Sequence, residues 1–212
     1  MSTQQLTLYE CPATRSDRVK FLLAEMDISY EKKTILLSQS EHLSKDYLNI
    51  NPYGCVPFLI DTAEDIKLIE SGAICHYLGK KYKKNIYYPA ENNLKAQAQY
   101  DELMYFLTST FDPICYNLFF HTKRLPSEKR IQAVADESIK KFSRSVMYIL
   151  DKLEKNKYLL TNQLSVPDFI LAPTLLCIKE EVMKYPLLQK YIENILTLRS
   201  MKLVREDVKQ ML

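Results

Sequence analysis

After Gly79 the chain runs to its end without a glycine, and its whole length holds three: Gly54, Gly72 and Gly79. Glycine is what lets a backbone turn left-handed or approach a ligand closely. A chain this poor in it favours long helices with few sharp turns. Two ligand-binding devices are excluded at once, because a phosphate-cradling P-loop and a dinucleotide fingerprint each need two or three glycines close together. The 212 residues suffice for one large domain or two small ones. With 47% hydrophobic and 26% charged residues, the balance is that of a soluble globular protein able to bury a core without disulfides.

Charge and cysteine usage narrow the partners. The net charge of +3 is too small to require a nucleic acid. Five cysteines, Cys11, Cys55, Cys75, Cys115 and Cys177, form no C-x-x-C pair, and the start lacks the apolar core of a signal peptide. Reduced thiols in the cytoplasm are the expectation. His42, His76 and His121 lie far apart with no metal-ligand spacing, so no metal is expected. No apolar run approaches the roughly 18 residues of a membrane span.

The first 84 residues alternate strand and helix signals. Leu6–Tyr9 reads as a strand, and Ser16–Met26 as a helix with Val19, Leu22, Leu23 and Met26 on one stripe. A second strand spans Tyr30–Leu36 and a short helix His42–Leu48. Val56–Ile60 and Ile66–Ile69 make a hairpin, and Ser71–Tyr82 is a helix. The order is βαβαββα, a small mixed-sheet layer occupying residues 1–84. Residues 85–93 have no sustained period and read as a linker. Residues 94–212 carry only helical signals; between 128 and 154, Ile131, Val134, Ala135, Ile139, Phe142, Val146, Ile149, Leu150 and Leu153 share a stripe. The fold class is therefore α+β, with an α/β domain followed by an all-α domain.

One helix start is sharply written. In Ser165-Val-Pro-Asp168 the two outer side chains can satisfy each other's backbone amides, and Pro167 falls in the first turn where its missing N–H costs nothing. This device serves folding.

The chemistry gathers elsewhere. A proline at the head of a strand, as in Asn51-Pro-Tyr-Gly-Cys-Val-Pro-Phe-Leu-Ile-Asp61, cannot donate to the ladder. A cis Val56–Pro57 bond would turn the Val56 N–H and C=O outward to pair with an extended peptide. In Ile69-Glu-Ser-Gly-Ala-Ile74 a strand runs into a helix, so Ser71 and the free amides there form an anion site, and Glu70 can hold an ammonium group. Together these suit a small peptide with a free amino-acid end.

These residues resemble a family. Leu8-Tyr9, Asn51-Pro52-x-Gly54-x-Val56-Pro57, Glu70-Ser71-x-Ala73-Ile74-x-x-Tyr77-Leu78 and Ser165-x-x-Asp168, in that order, are similar to the cytosolic glutathione S-transferase superfamily. The resemblance implies a thioredoxin-like N-terminal domain, a helical-bundle C-terminal domain, a homodimer, and glutathione as co-substrate with a small hydrophobic electrophile. It implies that Cys55, Val56 and Pro57 flank the cysteinyl backbone of glutathione and that Glu70 and Ser71 take its γ-glutamyl end. His42 matches a basic position that contacts the glycyl carboxylate in some classes. Tyr53 matches an aromatic that plugs a partner-subunit pocket.

The reaction so implied is thiol activation, since the thiolate is the nucleophile. Lowering a thiol pKa by two units needs about 2.7 kcal/mol of preference for the charged form. A hydroxyl donor plus a helix N-terminus can supply it. Tyr9, Cys11, Thr14 and Ser16 are the candidates; an ungapped alignment puts the serine-type position on Thr14. Cys11 would change the reaction to thiol–disulfide exchange with glutathione. The electrophile's pocket is expected from the aromatic-rich stretch 100–120, at Tyr105, Thr108 and Phe111. A non-catalytic alternative exists, because Tyr158-Leu-Leu-Thr161 through Leu171-Ala-Pro173 also resembles the stringent starvation proteins, which bind RNA polymerase. The proline–histidine–proline segment typical of them is missing; Lys81-Tyr-Lys-Lys-Asn-Ile-Tyr-Tyr-Pro89 stands there.

Overall fold

The computed structural model describes residues 5–211. Its contacts divide the chain into two compact units, one of Met1–Asn85 with Leu198–Leu212, the other Ile86–Thr197. The division departs from the sequence boundaries at both ends. Ile86 is buried and Tyr87 N donates to Leu164 O (2.7 Å), so the head of the 85–93 segment is fixed within the second unit. The last helix belongs to the first unit.

The first unit is built on a four-stranded sheet of order β2-β1-β3-β4, comprising β1 (Leu6–Glu10), β2 (Glu31–Thr34), β3 (Phe58–Asp61) and β4 (Ile66–Leu68). β1 runs parallel to β2 and antiparallel to β3, and β3–β4 is a hairpin. β3 begins at Phe58, two residues later than the sequence suggests, because Pro57 has no N–H for the ladder. β2 is an exposed edge whose Lys32 and Lys33 discourage further pairing. Leu6, Leu8 and Glu10 alternate onto a buried face. α1 (Ser16–Glu25) and α3 (Ser71–Tyr82) lie side by side and bury Val19, Leu22, Leu23, Ile74, Cys75 and Leu78. α2 (Lys45–Ile50) is capped by Ser44, whose Oγ accepts from Tyr47 N (3.2 Å).

The second unit is helical: α4 (Leu94–Tyr105), α5 (Asp112–Phe119), α6 (Gln132–Lys155), α7 (Val166–Cys177), α8 (Lys179–Val182) and α9 (Pro186–Thr197). α7 is apolar on nearly all sides, as a central helix must be, and it packs on α4, α5 and α9. On α6 the buried stripe is Ala135, Ser138, Phe142, Val146, Ile149 and Leu153. Ile131 falls outside it, because it precedes the helix and is exposed. α10 (Arg199–Met211) returns to the first unit and packs along α1.

The capping box at the head of α7 forms as the sequence indicates. Asp168 Oδ2 accepts from Ser165 N (2.9 Å) and from the Ser165 hydroxyl (2.7 Å). Its Oδ1 accepts from Leu159 N and from the Tyr191 hydroxyl, both at 3.1 Å. Burial outweighs these donors and lifts the Asp168 carboxyl to about 6. Ser165→Ala should cost about 0.5–2 kcal/mol in urea denaturation. Asp168→Ala should cost more, since it orphans several buried donors at once.

Candidate functional site

The sheet register decides which loops meet. Tyr9 pairs with Phe58 and Leu59 with Leu68, so the C-terminal ends of β1 and β4 and the start of β3 lie at one end of the sheet. From that end leave the 11–16 loop into α1, the 51–57 segment into β3, and the Glu70–Ser71 junction into α3. β2, parallel to β1, ends there too and leads to the short 3-10 turn carrying His42. Two long helices, α1 and α3, therefore present their N-termini at this end, where unpaired amides favour an anion.

The 11–16 loop is held by its own side chains. Ser16 Oγ accepts from Cys11 N (3.2 Å), and Thr14 Oγ1 accepts from Ser16 N (3.1 Å) and donates to Cys11 O (2.6 Å). Asp17 Oδ2 accepts from Ala13 N (3.0 Å), with Ala13 at φ +60°. The four candidates thereby separate. Ser16 has no exposed surface, and its hydroxyl serves the loop's own hydrogen bonds. Cys11 is buried. Tyr9 lies on the opposite strand face from Leu8 and Glu10, with its ring against Tyr47 (5.6 Å) and Phe58 (5.8 Å). Thr14 is half-buried at the head of α1.

The Val56–Pro57 bond is cis, and among the described residues neither the N–H nor the C=O of Val56 has a hydrogen-bond partner. The segment before it is braced: Cys55 O accepts from the Tyr47 hydroxyl (2.7 Å) and from Asn51 Nδ2 (2.9 Å). Gly54 sits at φ +61°, where a Cβ would come within 3.0 Å of His42 O. His42 is thus seated against this turn, with its Nδ1 buried and unpartnered among the described residues. Tyr53, at the tip of the turn, is 72% exposed.

At the β4–α3 junction Glu70 is exposed and left-handed at φ +68°. Such a conformation in a non-glycine residue is uncommon and clusters at functional sites. Ser71 is buried, and its Oγ accepts from Arg18 Nη1 (3.0 Å), which ties α3 to α1. Arg18, Tyr47 and Asn51 were not marked by the sequence as site residues. The available signal was an arginine on the buried stretch of α1.

In the second unit Phe106–Phe111 and Phe120–Arg124 are π-helical, a form rare elsewhere and frequent at functional sites. The wider turns shift the side-chain phase, which accounts for aromatics on more than one face. Tyr105 is 71% exposed, and Thr108 donates to Met104 O (2.8 Å). Phe111 is 1% exposed, with its ring against Phe106 and Phe142, so it sits in the core. Burial pushes the Cys75 thiol up to about 12, which leaves it inert. Among the described residues no helix is long and apolar enough to cross a membrane.

Comparison with known proteins agrees with this geometry. Residues 4–80 match the family model "Glutathione S-transferase, N-terminal domain" and residues 102–198 "Glutathione S-transferase, C-terminal domain". The chain is 32% identical over 117 residues to Protein URE2 of Eremothecium gossypii, covering 52% of this chain and 33% of that protein. It is 31% identical over 160 residues to glutathione S-transferase 1 of Zea mays, covering 74% of this chain and 72% of that one. It thus spans about a third of the first relative's length. The crystal structure of the transferase URE2P6 from Phanerochaete chrysosporium, in complex with oxidized glutathione, superposes with a TM-score of 0.82 at 24% identity, covering 99% of each chain.

Gly54→Ala should lower stability by about 1–3 kcal/mol, because a left-handed backbone and a close carbonyl both oppose the new methyl. Urea denaturation at fixed pH measures it; a loss of a few tenths would mean that the turn relaxes freely.

Proposed function

The chain belongs to the glutathione S-transferase family, and from that premise we propose that it binds glutathione and activates its thiol for attack on a small hydrophobic electrophile. The observation that supports this most is the partnerless Val56 backbone, at the same sheet end as the N-termini of α1 and α3. An extended peptide pairs with Val56 through its cysteinyl N–H and C=O, as a strand is added to a sheet. Its γ-glutamyl carboxylate sits at Ser71 and the head of α3, and its ammonium group at Glu70. The glycyl carboxylate lies toward His42, and Cys55 and Pro57 shape the bed between.

Thr14 is the thiol's hydrogen-bond donor. Of the four candidates it alone combines a position at the head of α1 with partial exposure and a hydroxyl. On binding, its hydroxyl turns from Cys11 O to the sulfur, and with the α1 amides it favours the thiolate. The nucleophile then attacks the electrophile's carbon and forms a thioether as the leaving group departs with its electron pair. Thiol exchange at Cys11 is less well supported, because its sulfur is closed off from an incoming disulfide. Tyr53 is the residue that docks into a second copy of the chain.

Retention on immobilised glutathione and conjugation of a generic aromatic electrophile test the reading. Thr14→Val should keep retention and lose about a hundredfold in kcat/KM, the usual effect of removing one preorganised donor. Activity that survives Thr14→Val and dies with Cys11→Ala would transfer the role to the thiol. Failure of both retention and conjugation would favour the non-catalytic, polymerase-binding alternative. Tyr53→Ala should raise the dimer dissociation constant in sedimentation equilibrium; an unchanged constant removes Tyr53 from the interface.

A further inference from the structure

Beneath the 11–16 loop, charged groups from three elements gather, most of them shut away from water. Glu10 on β1 has no exposed surface, and Asp17 and Lys20 on α1 are buried. Asp207 on α10 completes the set. Lys20 Nζ lies 2.7 Å from Asp207 Oδ2, 3.3 Å from Glu10 Oε2 and 3.7 Å from Asp17 Oδ1. One ammonium therefore serves three carboxylates. Burying so many charges is expensive and is not how a core is ordinarily stabilised. The arrangement has a clear geometric product. With Oδ1 turned to Lys20, Asp17 presents Oδ2 to the Ala13 amide. That amide belongs to a residue in the left-handed region, which side chains resist. The next residue is Thr14.

We infer that Asp17 is a positioning residue for the thiol-activating loop, clamping Ala13 so that Thr14 faces the sulfur, and that Lys20 and Asp207 couple this clamp to the C-terminal helix α10. The inference rests on the role of Thr14 proposed above. Asp17 touches no substrate; it acts through the backbone of the loop.

The clamp is sensitive to pH. Burial raises the Asp17 carboxyl to about 7, against the pull of Lys20 and the Ala13 amide and with a further push from Glu10. Burial alone would lower the Lys20 ammonium; Asp207, Glu10 and Asp17 hold it above its ordinary value, so it stays charged. Burial likewise opposes the Asp207 charge, but Lys20, with Lys32 3.4 Å away, keeps that carboxyl below the ordinary value. The Tyr30 hydroxyl, raised by its own burial, stays neutral. Asp17 thus titrates near neutrality. Its folded-state value lies above the unfolded one, so between about pH 4 and about pH 7 the folded chain keeps a proton that the unfolded chain has lost. Stability from this group falls as pH rises through that window. Below about 7 the protonated carboxyl still presents Oδ2 to the Ala13 amide; ionisation against the cost of burial loosens the closed loop.

Hydrogen exchange of the 11–16 amides in the ligand-free protein tests the clamp without reference to glutathione. After correction for intrinsic rates, protection in the wild type should fall as pH rises from about 4 to about 7. Asp17→Asn, which keeps an acceptor but cannot ionise, should remove that dependence, and Asp17→Ala should speed exchange about tenfold at pH 5. In catalysis, Asp17→Ala should lower kcat about tenfold and leave the KM for glutathione within about twofold, because Val56 and Ser71 are untouched. Should Asp17→Ala fail to fold, Asp207→Asn, at a partly exposed site, should still weaken loop protection. Unchanged loop exchange in Asp17→Ala, or in Asp207→Asn where that variant replaces it, overturns the inference. A wild type that binds no glutathione sinks the proposed function instead, and the exchange arm still decides the clamp.

Discussion

The pairing of Leu8 with Leu59, and of Leu59 with Leu68, is the constraint on which the candidate site depends. It sets the ends of β1, β3 and β4 level, so three loops distant in sequence open side by side. A slip of one residue would put Leu6 and Leu8 on the other face and carry Glu10 out of its buried position. The hydrophobic alternation of β1 holds the register against that slip. Once it is fixed, the helices that follow β1 and β4 must begin at the same end, and their N-terminal amides converge without further design.

Around this frame the polar groups divide into two kinds. Some brace backbone that has no regular partner: Tyr47 and Asn51 on Cys55 O, Ser16 on Cys11 N, Asp17 on Ala13 N. Others join elements, as Arg18 joins α1 to Ser71 on α3 and Lys20 joins α1 to Asp207 on α10. Among the described residues the Val56 backbone has neither kind of support. In a molecule that braces its other irregular segments so thoroughly, that difference makes this edge the natural place for a ligand strand.

Much of the fold could be read locally. α3 was legible to the residue, since Ser71–Tyr82 has a clear start and apolar stripe, and so was the capping box of Ser165 and Asp168. The Val56-Pro57 and Glu70-Ser71 elements were legible because proline and strand-to-helix junctions impose rules within a few residues. The differences at single side chains concern depth. Ser16 read as an accessible hydroxyl, Phe111 as a pocket wall and Ile131 as core. Periodicity tells which side chains share a face, but it does not tell how far that face lies from solvent. The π-helical turns added a phase error between Phe106 and Phe111 that a regular-helix reading cannot contain.

The sequence by itself determined the glycine-poor helical second half, the βαβαββα order, and the two motifs that suit a small peptide, because each follows from short-range sterics and hydrogen bonding. Only the tertiary structure decided that α10 returns to the first unit, that Arg18 meets Ser71, and that Lys20 gathers Glu10, Asp17 and Asp207. Those contacts join residues up to nearly two hundred positions apart. Charge pairing at that range depends on which elements pack together and how deeply they are buried, and no local pattern in the chain encodes either.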